Sequence, residues 1–171
     1  MRNIELKARL HDLAAARRTA VKIATKQLGT QHQIDTFFRC HEGRLKLRQI
    51  DGLRAELIWY QRDDQEEAKA SDYVLVPTAQ PETLKTALDA ALGIRTVVEK
   101  KREIFLYYNV RIHLDEVVGL GTFLEFEAVL GSDIDDRMGQ EQVAELSATF
   151  AIEDDDLLAV SYADMLESGT P

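Results

Sequence analysis

The chain has 171 residues, of which 45% are apolar and 30% charged, with a net charge of −9. That length carries one domain with a sizeable core, and the acidic balance argues against non-specific nucleic-acid binding and against attraction to an anionic membrane, while leaving room for a local cationic cavity. The lone cysteine, Cys40, excludes an intrachain disulfide and a cysteine-built zinc site, and with no apolar leader and no long apolar run the expectation is a cytoplasmic protein forming a single domain over 1–171.

In chain order, the alternation in "NIELKAR" predicts a strand at 2–10, with Asn3, Glu5, Lys7 and Arg9 on one face and Ile4, Leu6, Ala8 and Leu10 on the other. Leu13, Ala16, Ala20, Ile23 and Ala24 recur at helical spacing behind Asp12, which predicts a helix over 12–27. Strands are expected at 31–39, 43–50, 53–62 and 71–76, with a tight hairpin at Asp51-Gly52 and a mobile polar loop over 62–71. Pro81 and Gly93 bracket a helix at 80–91. Strands follow at 96–107, 109–118 and 122–130, then helices at 137–150 and 154–167. The short links favour antiparallel neighbours, so the class is α+β with a largely antiparallel sheet.

The polar strand faces are unusual. Arg44, Lys46 and Arg48 share one face, Arg111, His113 and Asp115 another, and Glu125 and Glu127 a third. A charged face on one antiparallel strand is ordinarily the wet side of a sheet. Here the faces hold Lys, Arg, Glu and Asp almost alone, segregated by sign from strand to strand, and like charges at i and i+2 repel unless something lies between them. Closing the sheet into a barrel, charged faces inward and apolar faces under the helices, accounts for the pattern. Such a lumen cannot be dry, because unpaired buried charge costs too much. Clustered Lys and Arg suit phosphate oxygens, and clustered carboxylates suit a hard divalent cation such as Mg²⁺ or Mn²⁺. The strand at 96–107 stays ambiguous on periodicity: Val98, Lys100 and Arg102 share one face, Glu99, Lys101 and Glu103 the other.

"NIELK" resembles the Glu-x-Glu-x-Lys signature of the CYTH superfamily, the triphosphate tunnel metalloenzymes, and "GRLKLR", "VVEKKREIF" and "RIHLDEVVGLGTFLEFE" match it further along in order. The resemblance, strongest to the class IV adenylyl cyclase-like branch, implies an eight-stranded antiparallel β-barrel with helices packed outside. It implies Glu5, Glu125 and Glu127 as ligands for Mg²⁺ or Mn²⁺, with Asp115 assisting directly or through water. It implies Lys7, Lys46, Arg48, Arg62, Lys100 and Arg102 as the triphosphate grip, selecting Lys100 and Arg102 for the inner face, and Arg111 as a further phosphate contact. One position departs: Asn3 stands where the signature has its first Glu, offering a neutral amide oxygen for a carboxylate.

The implied ligand is a small-molecule triphosphate, whether ATP, thiamine triphosphate or tripolyphosphate, with no nucleic acid or membrane partner; a homodimer is compatible with the sequence. Two reactions fit: cyclisation of ATP to cyclic AMP and pyrophosphate, or hydrolysis of the terminal phosphate. Lys7 is read first as a phosphate contact and second as the catalytic group that activates or orients the nucleophile. His113 is read as a hydrogen-bonded wall residue before an acid/base, Asp35 as a structural hydrogen-bonding group, Tyr162 as a packing residue and Trp59 as barrel exterior beneath a helix. The rival readings are a triphosphate-binding module without turnover, and an open sheet with a wet face and no ligand.

Overall fold

The computed structural model describes residues 1–169. Eight strands close into an antiparallel barrel in the ring order β1-β5-β4-β3-β2-β6-β7-β8. They are β1 (Arg2–Arg9), β2 (Lys26–Phe38), β3 (Arg44–Ile50), β4 (Arg54–Arg62), β5 (Lys69–Thr78), β6 (Ile94–Tyr107), β7 (Val110–Val117) and β8 (Gly121–Val129). The short β1–β5 ladder, running from Arg2↔Asp72 to Glu5↔Lys69, completes the closure.

The alternation read from the sequence sets inside and outside. Ile4, Leu6, Ile112, Leu114, Leu124 and Phe126 point outward yet are buried, because helices cover them. Helix α1 (Leu13–Ile23) lays Ala16 and Ala20 against this layer, and α3 (Asp136–Thr149) adds Val143 and Leu146. Gly139 on α3 lets the helix approach closely: a Cβ there would meet Leu130 Cδ2 at 2.8 Å and Ile4 Cγ1 at 2.9 Å. Leu84 and Leu88 of α2 (Pro81–Leu92) cover Phe38, Leu47 and Ala55. No helix is long and apolar enough to cross a membrane among the described residues.

Four element expectations change. The helix expected over 12–27 ends at Ile23, because Ala24 turns to an extended conformation and Thr25 donates its N–H to Leu106 O at 2.8 Å. Its last residues join β2 instead, which begins at Lys26 rather than 31 and follows β6 out of the barrel, with a register shift between Gln27 and Gly29. The helix expected over 154–167 is broken. Residues Asp154–Asp156 form a single 3₁₀ turn, Leu157 bridges to Ala8, and Leu158 donates its N–H to Lys7 O at 2.9 Å. The helix α4 (Tyr162–Ser168) starts only at the capping box of Ser161 and Asp164. Finally, β5 begins inside the stretch read as a loop, at Lys69. The Asp51-Gly52 hairpin has positive φ at both residues, as its sequence requires.

Helix α4 seals one end of the barrel. The inward-facing Phe37, Val98, Val117 and Phe123 form an apolar layer there, and Tyr162, Ala163 and Met165 pack onto it.

Candidate active site

The lumen is a cavity of about 310 Å³, within the size range of small-molecule sites. All the site residues expected from the sequence line it except Asp115, which is fully buried between Arg102 and Tyr162.

The cationic wall is built from β3 and β6 and held in place by two buried acids. Asp35, on β2 between them, accepts from Lys46 Nζ at 3.0 Å, from Arg48 Nε at 2.7 Å and from Arg48 Nη2 at 2.8 Å, with Lys100 Nζ 3.7 Å away. The ladders dictate this, since Asp35 faces Arg48 across β2–β3 and Val98, next inward neighbour of Lys100, across β2–β6. Asp115 does the same for Arg102, its partner across β6–β7. It accepts from Arg102 Nε at 2.7 Å and Nη2 at 2.5 Å and from the Tyr162 hydroxyl at 2.9 Å, and lies 3.9 Å from Lys100 Nζ. Both Asp115 oxygens are therefore engaged by the wall.

The acidic wall is β8. Glu125 faces Lys7 on β1 and His113 on β7; Glu127 faces Glu5 and Arg111. One oxygen of each is tied to a guanidinium, Glu125 Oε2 to Arg102 Nη2 at 2.5 Å and Glu127 Oε2 to Arg111 Nη1 at 3.2 Å. Glu5 is ion-paired with Arg62 Nε at 2.9 Å, and Arg62 also donates to the Ala159 carbonyl at 2.9 Å. Lys7 makes no ion pair within 4.0 Å among the described residues; its Nζ lies 4.1 Å from the centroid of the Tyr162 ring, which stabilises the ammonium by a cation–π contact. β3 stands four places from β8 in the ring, so Lys46 and Arg48 face the acidic wall across the lumen, whereas β6 lies two places from β8 and its Arg102 reaches Glu125 directly.

Burial and crowding set the protonation of these groups. Burial, reinforced by Arg102, lowers Lys100 to about 7, and burial with Arg48 beside it lowers Lys46 to about 8. Burial lowers Lys7 as well. Burial would raise Asp115, but Arg102 and Lys100 outweigh it and hold the carboxyl down at about 2. For Glu125 the same contest is won by Arg102 and Lys7, well below the usual carboxylate range. Glu5 goes the other way: burial and the nearby Glu125 raise it despite Arg62. A buried carboxylate whose charge is disfavoured in this way gains from a cation beside it.

The residues fit a divalent metal. His113, Glu125 and Glu127 each offer one donor atom, all within 4.8 Å of one another. Among the described residues, the buried His113 Nδ1 has no hydrogen-bond partner, and neither has Asn3 Oδ1 on the opening strand.

Several functional groups escaped the sequence reading. Lys69 is buried with its Nζ among the carbonyls of Gln65, Leu158 (3.3 Å) and Ala159 (3.2 Å), and burial lowers it to about 8. Its signal was hidden in an aperiodic polar stretch. Tyr162 does more than pack, since its hydroxyl reaches Asp115 and its ring lies under Lys7. Trp59 is on the exterior but lies over the β2–β3 turn, donating to the Glu42 carbonyl at 3.1 Å.

A closed antiparallel barrel with segregated charge on its inner walls defines the class, and the comparisons agree. The CYTH domain profile matches residues 1–162, and the chain belongs to that family. Among solved structures it is similar to the PH1012 protein of Pyrococcus horikoshii OT3, at 19% identity and a TM-score of 0.85 over 95% of this chain and 98% of that one. It is also similar to a candidate adenylate cyclase of Vibrio parahaemolyticus, at 20% identity and a TM-score of 0.77, covering 96% and 97%. A third is a candidate adenylyl cyclase of Hippeastrum described as having a dominant triphosphatase activity, at 17% identity and a TM-score of 0.66, covering 99% and 97%. At these identities the likeness is one of fold. A comparison with curated proteins finds no match.

Proposed function

We propose that the protein is a metal-dependent enzyme that binds a small-molecule triphosphate in the barrel lumen and cleaves it, by hydrolysis or by cyclisation of ATP. The observation that carries this reading is the segregated charge of the lumen: Lys46, Arg48, Lys100 and Arg102 held by Asp35 and Asp115, with Glu125 and Glu127 on β8. Four basic groups stand against two anchoring acids, an excess that a polyanion balances, and a divalent cation suits the paired carboxylates of β8.

The residues divide the work as follows. Lys46, Arg48, Lys100 and Arg102 bind phosphate oxygens, with the guanidinium planes fixed before the ligand arrives, so little ordering is required on binding. Arg62 and Arg111 contribute at the margins, each already paired to a glutamate. Glu125 and Glu127, with Glu5 beside them, would hold Mg²⁺ or Mn²⁺. Bound there, the metal would supply charge neutralisation at the phosphates and polarise the phosphorus–oxygen bond. Lys7, unpaired and steadied by Tyr162, orients the attacking oxygen or binds the phosphate next to it. Catalysis of this kind is chiefly positioning and electrostatic stabilisation.

The test is incubation of the purified protein with ATP, thiamine triphosphate and tripolyphosphate, each with Mg²⁺ or Mn²⁺, with the products resolved. Cyclic AMP with pyrophosphate selects cyclisation and orthophosphate selects hydrolysis. Binding without any product overturns the enzyme reading in favour of a binding module. A tripolyphosphate-induced rise in melting temperature that Lys46→Ala abolishes supports lumenal binding, because a ligand of the folded state alone must stabilise it.

A further inference from the structure

We infer that His113 is a direct metal ligand through Nδ1, joining Glu125 and Glu127 in a site of one imidazole and two carboxylates that prefers a first-row transition ion such as Mn²⁺ to Mg²⁺. This rests on the metal-dependent reading above and goes further by naming the third ligand and the kind of ion.

The imidazole supplies the first argument. His113 is 4% exposed, and its Nδ1 is buried with no hydrogen-bond partner. The nearest acidic oxygens, Glu125 Oε2 at 3.7 Å and Glu127 Oε1 at 3.9 Å, are too distant to be hydrogen-bonded. Leaving such an atom unmatched costs stability that a bound partner would recover. Donors around one cation at about 2.1 Å stand roughly 3 Å apart when adjacent and roughly 4.2 Å apart when opposite. The three donor atoms here lie within 4.8 Å of one another, so small side-chain rotations bring them onto a common ion.

The second argument is placement by backbone. His113 and Glu125 are direct partners across β7–β8, and Glu127 lies two residues on along the same inner face. The ladder fixes all three Cα positions, as a rigid site needs. Arg111 holds Glu127 Oε2 and leaves Oε1 on the His113 side, while Arg102 holds Glu125 Oε2, the oxygen 3.7 Å from His113 Nδ1, and so fixes that carboxylate beside the imidazole.

The third argument is exclusion of competitors. Glu5, the cross-strand partner of Glu127, has one oxygen paired to Arg62, just as each β8 glutamate has one paired to an arginine. Asp115 spends both oxygens on Arg102 and Tyr162. The nitrogen of His113 is thus the uncommitted donor beside the two β8 glutamates. Mg²⁺ strongly favours oxygen ligands and gives up its waters reluctantly, whereas imidazole suits transition ions.

Pulsed EPR of the purified full chain loaded with Mn²⁺ tests this directly, in the absence and presence of tripolyphosphate. The expected result is a histidine nitrogen coupling to Mn²⁺ that changes on labelling histidine with ¹⁵N. Calorimetry with the metals alone is expected to show Mn²⁺ binding at least tenfold tighter than Mg²⁺, a preference that His113→Leu reduces toward parity. Mn²⁺ bound in a manner abolished by Glu125→Gln, yet without nitrogen coupling, overturns the assignment of His113 and leaves the metal-dependent reading standing. Failure of both ions to bind under either condition overturns both. The nitrogen coupling is read in the unmodified chain, so the outcome does not depend on a variant folding.

Discussion

Arg102 and Asp115 form a buried two-pronged ion pair, Nε to Oδ1 at 2.7 Å and Nη2 to Oδ2 at 2.5 Å, and the same Nη2 reaches Glu125 Oε2 at 2.5 Å. One guanidinium thereby joins the acid that anchors the cationic wall to an acid of the opposite kind of wall. Its orientation is set before any ligand enters. Asp115→Asn leaves Arg102 buried with half its compensation, and breaking a buried pair costs about 3–5 kcal/mol. Urea unfolding is expected to show a loss of that order, and tripolyphosphate is expected to restore part of it by standing in for the missing charge.

Proton uptake should accompany triphosphate binding at mildly alkaline pH. Lys100 is lowered to about 7 and Lys46 to about 8 in the empty barrel. A polyanion favours the charged forms, so above those values binding must draw protons from solution. Affinity is expected to fall as pH rises from 7 to 9, and calorimetry in buffers of different ionisation enthalpy should show net uptake near pH 8. The empty protein should behave oppositely. Between the lowered and the ordinary lysine values the unfolded chain holds more protons, so stability rises with pH. Lys100→Arg is expected to flatten both trends.

Asn3 has a carbonyl oxygen that is buried and unpartnered, two residues from Glu5 on the same inner face. Asn3→Glu adds a fourth acid to the group of Glu5, Glu125 and Glu127, in which Glu5 is already raised. Without metal the variant is expected to melt several degrees lower. With saturating Mn²⁺ its melting temperature should rise by more than that of the parent chain, measured side by side. No difference in metal-induced stabilisation would show that position 3 lies outside the reach of the ion.

Gly139→Ala tests the close seat of α3. The added methyl would meet Ile4 Cγ1 at 2.9 Å, and Ile4 is itself fully buried and branched at Cβ. Overpacking of this kind costs about 1–3 kcal/mol, against which the better helix propensity of alanine returns about 1 kcal/mol. A net loss of stability is expected in thermal melts, with lumenal tripolyphosphate binding unchanged because α3 lies outside the barrel.

Much of this was legible in the sequence because a barrel with a wet interior obeys the period-2 rule on every strand. Glu5 with Lys7, Lys46 with Arg48, and Glu125 with Glu127 each share a face in the sequence and share the lumen in the structure. What the sequence hid was decided by tertiary contacts. Residues 26–30 carry no alternation because both sides of that strand extension are wet; only hydrogen bonding to β6 makes it a strand. Leu158 has helical spacing with Tyr162, yet it and the neighbouring Leu157 are drawn out to β1. Lys69 sits among polar residues with no pattern, and only the register Glu5↔Lys69 turns it inward. The partnerless nitrogen of His113 is a property of its surroundings, and no motif announces it.

Because α4 stops one end of the barrel, traffic through the described part of the chamber has one doorway. Whatever enters must leave by the way it came, and a retained fragment blocks the next arrival, so a cleaved phosphate should inhibit in competition with substrate. The same dead end sets a limit on reach. Under the proposed function, a long polyphosphate chain would present its tip to Lys7 and Glu125 without being drawn through past them, which favours trimming from an end over cutting in the middle.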